Sequence, residues 1–157
     1  MDHFKLYNDL HGHQKGDECL RAVASVIGEN AFRPADLSAR YGGEEFAIIM
    51  PETDHKSARN LAERLRRALF DLRIAHGAPG VGSLVTLSIG IATKLPCEGV
   101  SWDRLLGQAD QALYAAKHSG RNRVVSADKI LGAFAEKAGD RDEGAAVSKI
   151  SQQFGMR

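Results

Sequence analysis

The stretch Leu37-Ser38-Ala39-Arg40-Tyr41-Gly42-Gly43-Glu44-Glu45-Phe46-Ala47-Ile48-Ile49-Met50 decides the fold. Two β-prone runs, Leu37–Tyr41 and Glu45–Met50, flank Gly42-Gly43. A Gly-Gly pair between such runs predicts a hairpin turn, because glycine accepts positive φ without steric cost. Pro51 stops the second strand, since it has no N–H to donate. The turn carries two carboxylates, Glu44 and Glu45, directly after two residues without side chains. Bare backbone lets a phosphate approach, and Mg²⁺ takes one or two carboxylates while filling its shell with water and phosphate. A plain hairpin with exposed acids fits the same five residues taken alone.

On either side of the hairpin the pattern changes from period two to period 3.6. Asp17 caps a helix that runs to about Asn30, with Leu20, Val23, Ala24 and Ile27 on one face. Thr53 or Asp54 starts a long helix with Ala58, Leu61, Ala62, Leu65, Ala68, Leu69 and Leu72 along one side. Gly77–Gly82, with Pro79 inside it, reads as a loop. In Val85–Ala92, Val85, Leu87, Ile89 and Ile91 alternate with Thr86, Ser88 and Gly90, which predicts a strand. Trp102–Ser119 reads as a helix facing inward through Leu105, Leu106, Ala109, Ala112, Leu113 and Ala116, and Gly120 ends it. Arg123–Val125 is a last short strand. The order predicts an α/β (α+β) domain with one layered core. Residues 1–125 form that domain, and 126–157 are read as a tail, partly helical or mobile.

The chain has 157 residues, enough for one domain that buries about 68–70% of its unfolded surface. Its 21 basic and 20 acidic residues leave a net charge of +1, which argues against a binder of nucleic-acid polymers. Cys19 and Cys97 make neither a CxxC pair nor a disulfide framework, so a reducing, cytoplasmic setting is expected. The longest apolar run, Phe46–Met50, is far short of the ~20 residues of a membrane span. His11-Gly12-His13 has no cysteine spacing beside it that would make a zinc site, and no GxxxxGK[ST] loop is present.

Several short motifs occur in one order: Asn8-Asp9, Gly12-His13, Gly16-Asp17, Gly42-Gly43-Glu44-Glu45-Phe46, Thr86-Leu87-Ser88-Ile89-Gly90, Ala109-Asp110, Tyr114-Ala115-Ala116-Lys117 and Gly120-Arg121-Asn122. Together they resemble the GGDEF-domain family, the diguanylate cyclases, in its GGEEF form, from Met1 to about Val125. The resemblance implies a palm-like nucleotidyl-cyclase fold with a central antiparallel sheet and flanking helices. It implies condensation of two GTP into cyclic di-GMP with release of two pyrophosphates, for bacterial second-messenger signalling. The catalytic needs are then positioning and neutralisation of charge by Mg²⁺ or Mn²⁺.

The residue roles follow from the same resemblance. Glu44 matches a metal ligand, with the Met1 backbone carbonyl beside it, and Glu45 is a second or supporting carboxylate. Gly42 and Gly43 match the turn against the nucleotide. Asn8 and Asp17 match the guanine-reading pair, and an Asp carboxylate accepts from guanine N1–H and N2–H₂ together, which adenine does not offer. Without the motif set, Asp17 reads as a helix cap and Asn8 as a turn former. Lys117 and Arg121, at i and i+4 across the end of a helix, are expected to face the same way and match a triphosphate-binding pair; the alternative is a favourable charge interaction at the helix end with solvated charge. Phe4 and Lys5 fall in a phosphate-binding segment that works through backbone N–H groups, and Phe4 also suits a core position. Arg33-Pro34-Ala35-Asp36, with five residues between it and Gly42, matches the family's product-inhibition site, and Arg64 matches a further arginine there. A bare Arg–Asp surface pair is the alternative, worth roughly 0–1 kcal/mol.

The pattern also departs from the family. The family opens with a strand ending in Asp-x-Asp; Asp2 matches the second Asp, Met1 stands at x, and the first Asp and its strand are absent. That Asp is the other protein ligand of the metal in the family. The expectation is therefore a domain lacking its first strand and a protein that is longer than this chain. The full-length protein is expected to carry an N-terminal sensor domain and to allow a membrane anchor. Catalysis is expected in a homodimer, with cyclic di-GMP as a feedback inhibitor. A catalytically impaired domain that binds cyclic di-GMP or GTP is the alternative.

Overall fold

A computed structural model describes residues 1–31, 33–95 and 101–128. The described elements are α1 (Phe4–His11), α2 (His13–Asn30), β1 (Leu37–Gly42), β2 (Glu45–Ile49), α3 (His55–Asp71), β3 (Ile89–Ile91), α4 (Trp102–His118) and β4 (Val124–Ser126). The mixture of helices and strands is as expected. β1 and β2 pair antiparallel, from Leu37 opposite Ile49 to Gly42 opposite Glu45, with a register shift between Arg40 and Gly42. Gly43 takes φ 44° at the turn. The Arg40 Nε–H donates to the Gly43 carbonyl at 2.8 Å and closes the tip.

The sheet differs in detail from one central antiparallel sheet. Among the described residues there are two two-stranded ladders, and β3 and β4 pair parallel, Ile89 beside Val124. Parallel neighbours need a long crossover, and α4 supplies it. Gly90 is the point of closest packing: a Cβ there would collide with the backbone of Ala109 and Leu113. The expected Val85–Ala92 strand keeps its alternation, with Val85, Leu87 and Ile91 buried. Only Ile89–Ile91 pair with another strand. Farther up, the Thr86 carbonyl accepts from Asp2 N–H at 3.0 Å, and Val85 N–H donates to Ile74 at 2.9 Å. The last strand lies one residue later than Arg123–Val125.

Two corrections concern helices. Asp17 does not cap α2; it lies in the second turn, and Gly12 at φ 81° occupies the N-cap. Asn8, read as a turn former when taken alone, sits in a helix, α1, which only Gly12 separates from α2. The capping prediction does hold for α3, where Asp54 accepts from Ser57 N–H at 2.6 Å. That contact lowers the Asp54 pKa, so its help to the helix is present above the usual carboxylate range and lost on acidification. In α3, Ala58, Leu61, Ala62, Leu65 and Leu69 are buried, whereas Leu72 is half exposed. In α4, Ala112 and Ala116 are buried, and Leu105, Leu106, Ala109 and Leu113 are intermediate.

The main core joins α1, α2, α3 and the Val85–Leu87 segment around Leu20, Val23, Leu69 and Val85. Cys19 lies in it, 3.5 Å from the Met1 sulfur, and burial raises its pKa to about 11. The thiolate is the reactive form, so with Cys97→Ser in place Cys19 should be alkylated about 100-fold more slowly in the folded chain than in urea at pH 8. Equal rates would show that this core is open. Of the expected tail, Ser126 closes β4 and Asp128 lies 3.4 Å from His55, while 129–157 and Cys97 lie outside the described residues. No described helix is long and apolar enough to cross a membrane.

Candidate active site

The hairpin places Glu44 and Glu45 where α4 ends and the chain begins. The Met1 amino group donates to the Glu44 carbonyl at 3.1 Å. Burial lowers the pKa of that amine, and the Asp2 carboxylate partly offsets this. Lys117, in the last turn of α4, reaches Glu45 Oε1 at 3.5 Å. Asp110, on the same helix, has its carboxyl pKa raised, first by burial and then by the charge of Glu45. Gly42 and Gly43 have open space where a Cβ would stand, so bare backbone faces outward at the tip.

The segment that follows is held by a carboxylate. Asp2 is 2% exposed. Its Oδ1 accepts from Ser88 Oγ at 2.7 Å, and its Oδ2 accepts from Thr86 Oγ1 at 2.7 Å and from Asn122 N–H at 3.2 Å. Asp2 thus fixes both the opening of α1 and the loop after α4. Role assignment by motif passed over this residue, although the period-two spacing of Thr86 and Ser88 was its signal. Phe4 and Lys5 form the first turn of α1, whose N-cap, His3, makes no side-chain capping bond. The Phe4 side chain is in the core, and the first-turn N–H groups are the unpaired donors every helix start presents. Arg121 lies past the end of α4 at φ 58°, and its charge lowers the His3 pKa after burial has done so. Lys117 and Arg121 therefore do not stack along one helix face. They reach the Met1–His3 segment through different neighbours.

Beside the hairpin, Asp17, Arg21, Ala24, Ser38, Arg40 and Phe46 line a groove of about 420 Å³ between α2 and β1. Asn8 is not part of that lining. Its Oδ1 is buried, has no hydrogen-bond partner and lies against Gly16. A Cβ at Gly16 would collide with that oxygen.

The second group of residues sits elsewhere. Arg33 Nη1 donates to Thr53 Oγ1 at 2.6 Å and lies 3.8 Å from Asp36 Oδ1, which is buried without a hydrogen bond. Arg64 donates to the Asn30 carbonyl at 2.9 Å and to Asn30 Oδ1 at 3.0 Å. No described hydrogen bond or ion pair joins Arg64 to Arg33 or Asp36.

Glu44 is the carboxylate at the tip that could hold a divalent cation. Glu44 keeps its carboxylate out of any described hydrogen bond or salt bridge, and the Met1 backbone lies beside the same tip. No group of three His, Cys, Asp or Glu ligands forms among the described residues. Magnesium accepts that arrangement because it retains waters and binds substrate phosphate.

The profile of the family described as "Diguanylate cyclase, GGDEF domain" matches residues 1–123. The chain belongs to the GGDEF family. Its relatives include the diguanylate cyclase VdcA of Vibrio cholerae, 43% identical over 127 residues, covering 80% of this chain and 36% of that protein. The response regulator PleD of Caulobacter vibrioides is 44% identical over 127 residues, covering 80% of this chain and 27% of that protein. The chain thus spans roughly a third or less of those relatives' length. Among solved structures, the GGDEF domain of DgcB from Caulobacter crescentus in complex with c-di-GMP matches with a TM-score of 0.71 and 41% identity, covering 81% of this chain and 73% of that one. The active GGEEF domain of a Vibrio cholerae diguanylate cyclase matches with a TM-score of 0.69 and 32% identity, covering 80% and 76%. The palm-like cyclase fold of these GGDEF domains is the fold of this chain.

Proposed function

We propose that this GGDEF domain condenses two GTP into cyclic di-GMP and releases two pyrophosphates. The observation that carries the reading is the convergence of the Gly42–Glu45 tip, the Met1–His3 segment and Lys117. Gly42 and Gly43 admit the nucleotide backbone. The first-turn N–H groups of Phe4 and Lys5 receive phosphate oxygens. Lys117 exchanges its Glu45 partner for phosphate, and Arg121 adds a fixed positive charge. Asp17 and Asn8 read the guanine edge from the groove and from the helix beside it. Mg²⁺ or Mn²⁺, held by Glu44 with the Met1 carbonyl, supplies charge neutralisation at the phosphates. Two copies face each other, each bringing one GTP, and cyclic di-GMP feeds back through Arg33, Asp36 and Arg64. The domain works in the cytoplasm, under an N-terminal sensor in the full protein.

Nucleotide choice tests this directly. The chain should prefer GTP over ATP in calorimetric titration, and Asp17→Ala should lower GTP affinity about 10-fold while leaving ATP unchanged. Equal binding of both nucleotides by the unaltered chain would contradict the reading. Gly16→Ala should act similarly by evicting the Asn8 amide, with GTP affinity falling about 10-fold; unchanged affinity would remove Asn8 from the site.

A second reading is favoured by one observation. Among the described residues no group of three His, Cys, Asp or Glu side chains gathers that could hold a metal ion. The chain would then act as a binding module for cyclic di-GMP or GTP. Tight binding without turnover is its signature.

A further inference from the structure

The loop after α4 turns through three successive residues at positive φ: Gly120 at 111°, Arg121 at 58° and Asn122 at 47°. Left-handed backbone is unfavourable for arginine, and such a conformation persists only where its surroundings over-determine it. Three contacts hold this one. The Arg121 N–H donates to the Ala116 carbonyl at 3.0 Å, from within α4. The Asn122 N–H donates to Asp2 Oδ2 at 3.2 Å, from the start of the chain. The third comes from α3, 56 residues away in sequence: Arg66 Nη1 donates to Asn122 Oδ1 at 2.9 Å.

Arg66 is itself held in place. Its Nε–H donates to Glu63 Oε2 at 2.9 Å, one turn back on α3. The planar guanidinium then presents Nη1 to the loop in a fixed direction. The side chains of Arg66 and Glu63 are 19% and 29% exposed, so water competes less for these bonds than at an open surface pair. An ion pair three residues apart on one helix accounts for the Glu63 contact by itself. It does not account for the second bond, which links two elements far apart in the chain.

We propose that Arg66 is a positioning residue for Arg121: by holding Asn122 it fixes the direction in which the preceding residue meets phosphate. The inference rests on the functional reading above, in which Arg121 adds positive charge at the GTP phosphates. Arg66 touches no substrate. Affinity for the phosphate tail should therefore depend on Arg66, and affinity for the base and the first phosphate should not.

The test titrates GTP and GMP separately, in EDTA to prevent turnover, into the 157-residue chain, Arg66→Met, Asn122→Gly, the double variant and Arg67→Met. Glycine accepts the positive φ of Asn122 and removes the same bond from the loop side, so either single variant tests the link should the other fail to fold. GTP affinity should fall about 10-fold in Arg66→Met and in Asn122→Gly, with GMP affinity within twofold of the parent. Arg67→Met removes the same charge from an exposed neighbouring position and should leave both affinities within twofold. In the Asn122→Gly background Arg66→Met should add nothing, because its acceptor is gone. An equal loss for GTP and GMP means general loosening and overturns the proposal. A matching loss in Arg67→Met, or a loss in Arg66→Met that persists in full in the Asn122→Gly background, overturns it too. A parent chain that binds GTP no more tightly than GMP overturns the phosphate role of Arg121 and this inference with it. A parent that prefers GTP, with both single variants matching it, overturns this inference alone.

Discussion

Glu44→Gln is expected to lower cyclic di-GMP formation by about 10³-fold, with the melting temperature unchanged. Glutamine keeps the shape and loses the charge that would draw a divalent cation to the hairpin tip. Metal stabilisation of developing phosphate charge is worth several kcal/mol, and each 1.36 kcal/mol is tenfold in rate. Glu44 is bound to the rest of the protein through its backbone carbonyl, so the side chain can change without disturbing the contact to Met1. Glu45→Gln should cost less, because it releases Lys117 from its 3.5 Å partner and leaves Glu44 in place. The measurement is turnover by chromatography with a thermal melt alongside. Turnover within threefold of the parent for Glu44→Gln would take this carboxylate out of the mechanism.

Asp2→Ala should destabilise the fold by about 3 kcal/mol, read by urea unfolding. The substitution strands the Thr86 and Ser88 hydroxyls and the Asn122 N–H, and each buried unsatisfied group costs roughly 1–3 kcal/mol. In a chain of this size that is a fall in melting temperature of about 10 °C. Asp2→Asn keeps one acceptor oxygen and should lie between the two. The loss also frees the loop carrying Arg121, so affinity for triphosphates should fall with stability. A change under 0.5 kcal/mol for Asp2→Ala would mean that this network does not hold the site together.

Local chemistry made much of the fold legible. Gly42-Gly43 between two β-prone runs places the hairpin, and Asp54 and the apolar stripe from Ala58 to Leu69 place α3. The α1 helix was hidden because its eight residues bury only Phe4 and Tyr7 and its cap, His3, gives no side-chain signal. Asp17 misled for a related reason: a good capping residue lay one turn inside a helix whose true start is a glycine at φ 81°. Alternation found the strand at Ile89, but no local pattern names a strand's partner, and the parallel pairing with Val124 depends on how α4 crosses.

The candidate site divides the same way. Motif order named Glu44, Glu45, Lys117 and Arg121, and the i, i+4 spacing presented Lys117 and Arg121 as neighbours on one face. The helix ends at His118, and the left-handed turn that follows sends Arg121 to His3. Contacts that span the chain were out of reach: Asp2 meets Thr86, Ser88 and Asn122. Such residues are chosen by the assembled fold, and short-range spacing carries no record of them.

Incubation of the 157-residue chain with GTP and Mg²⁺, with products separated by chromatography, tests the central claim most directly. The account predicts cyclic di-GMP and pyrophosphate in a 1:2 ratio, abolished by EDTA and by Glu44→Gln. A folded chain that binds GTP and yields no cyclic di-GMP would contradict it and leave a nucleotide-binding module.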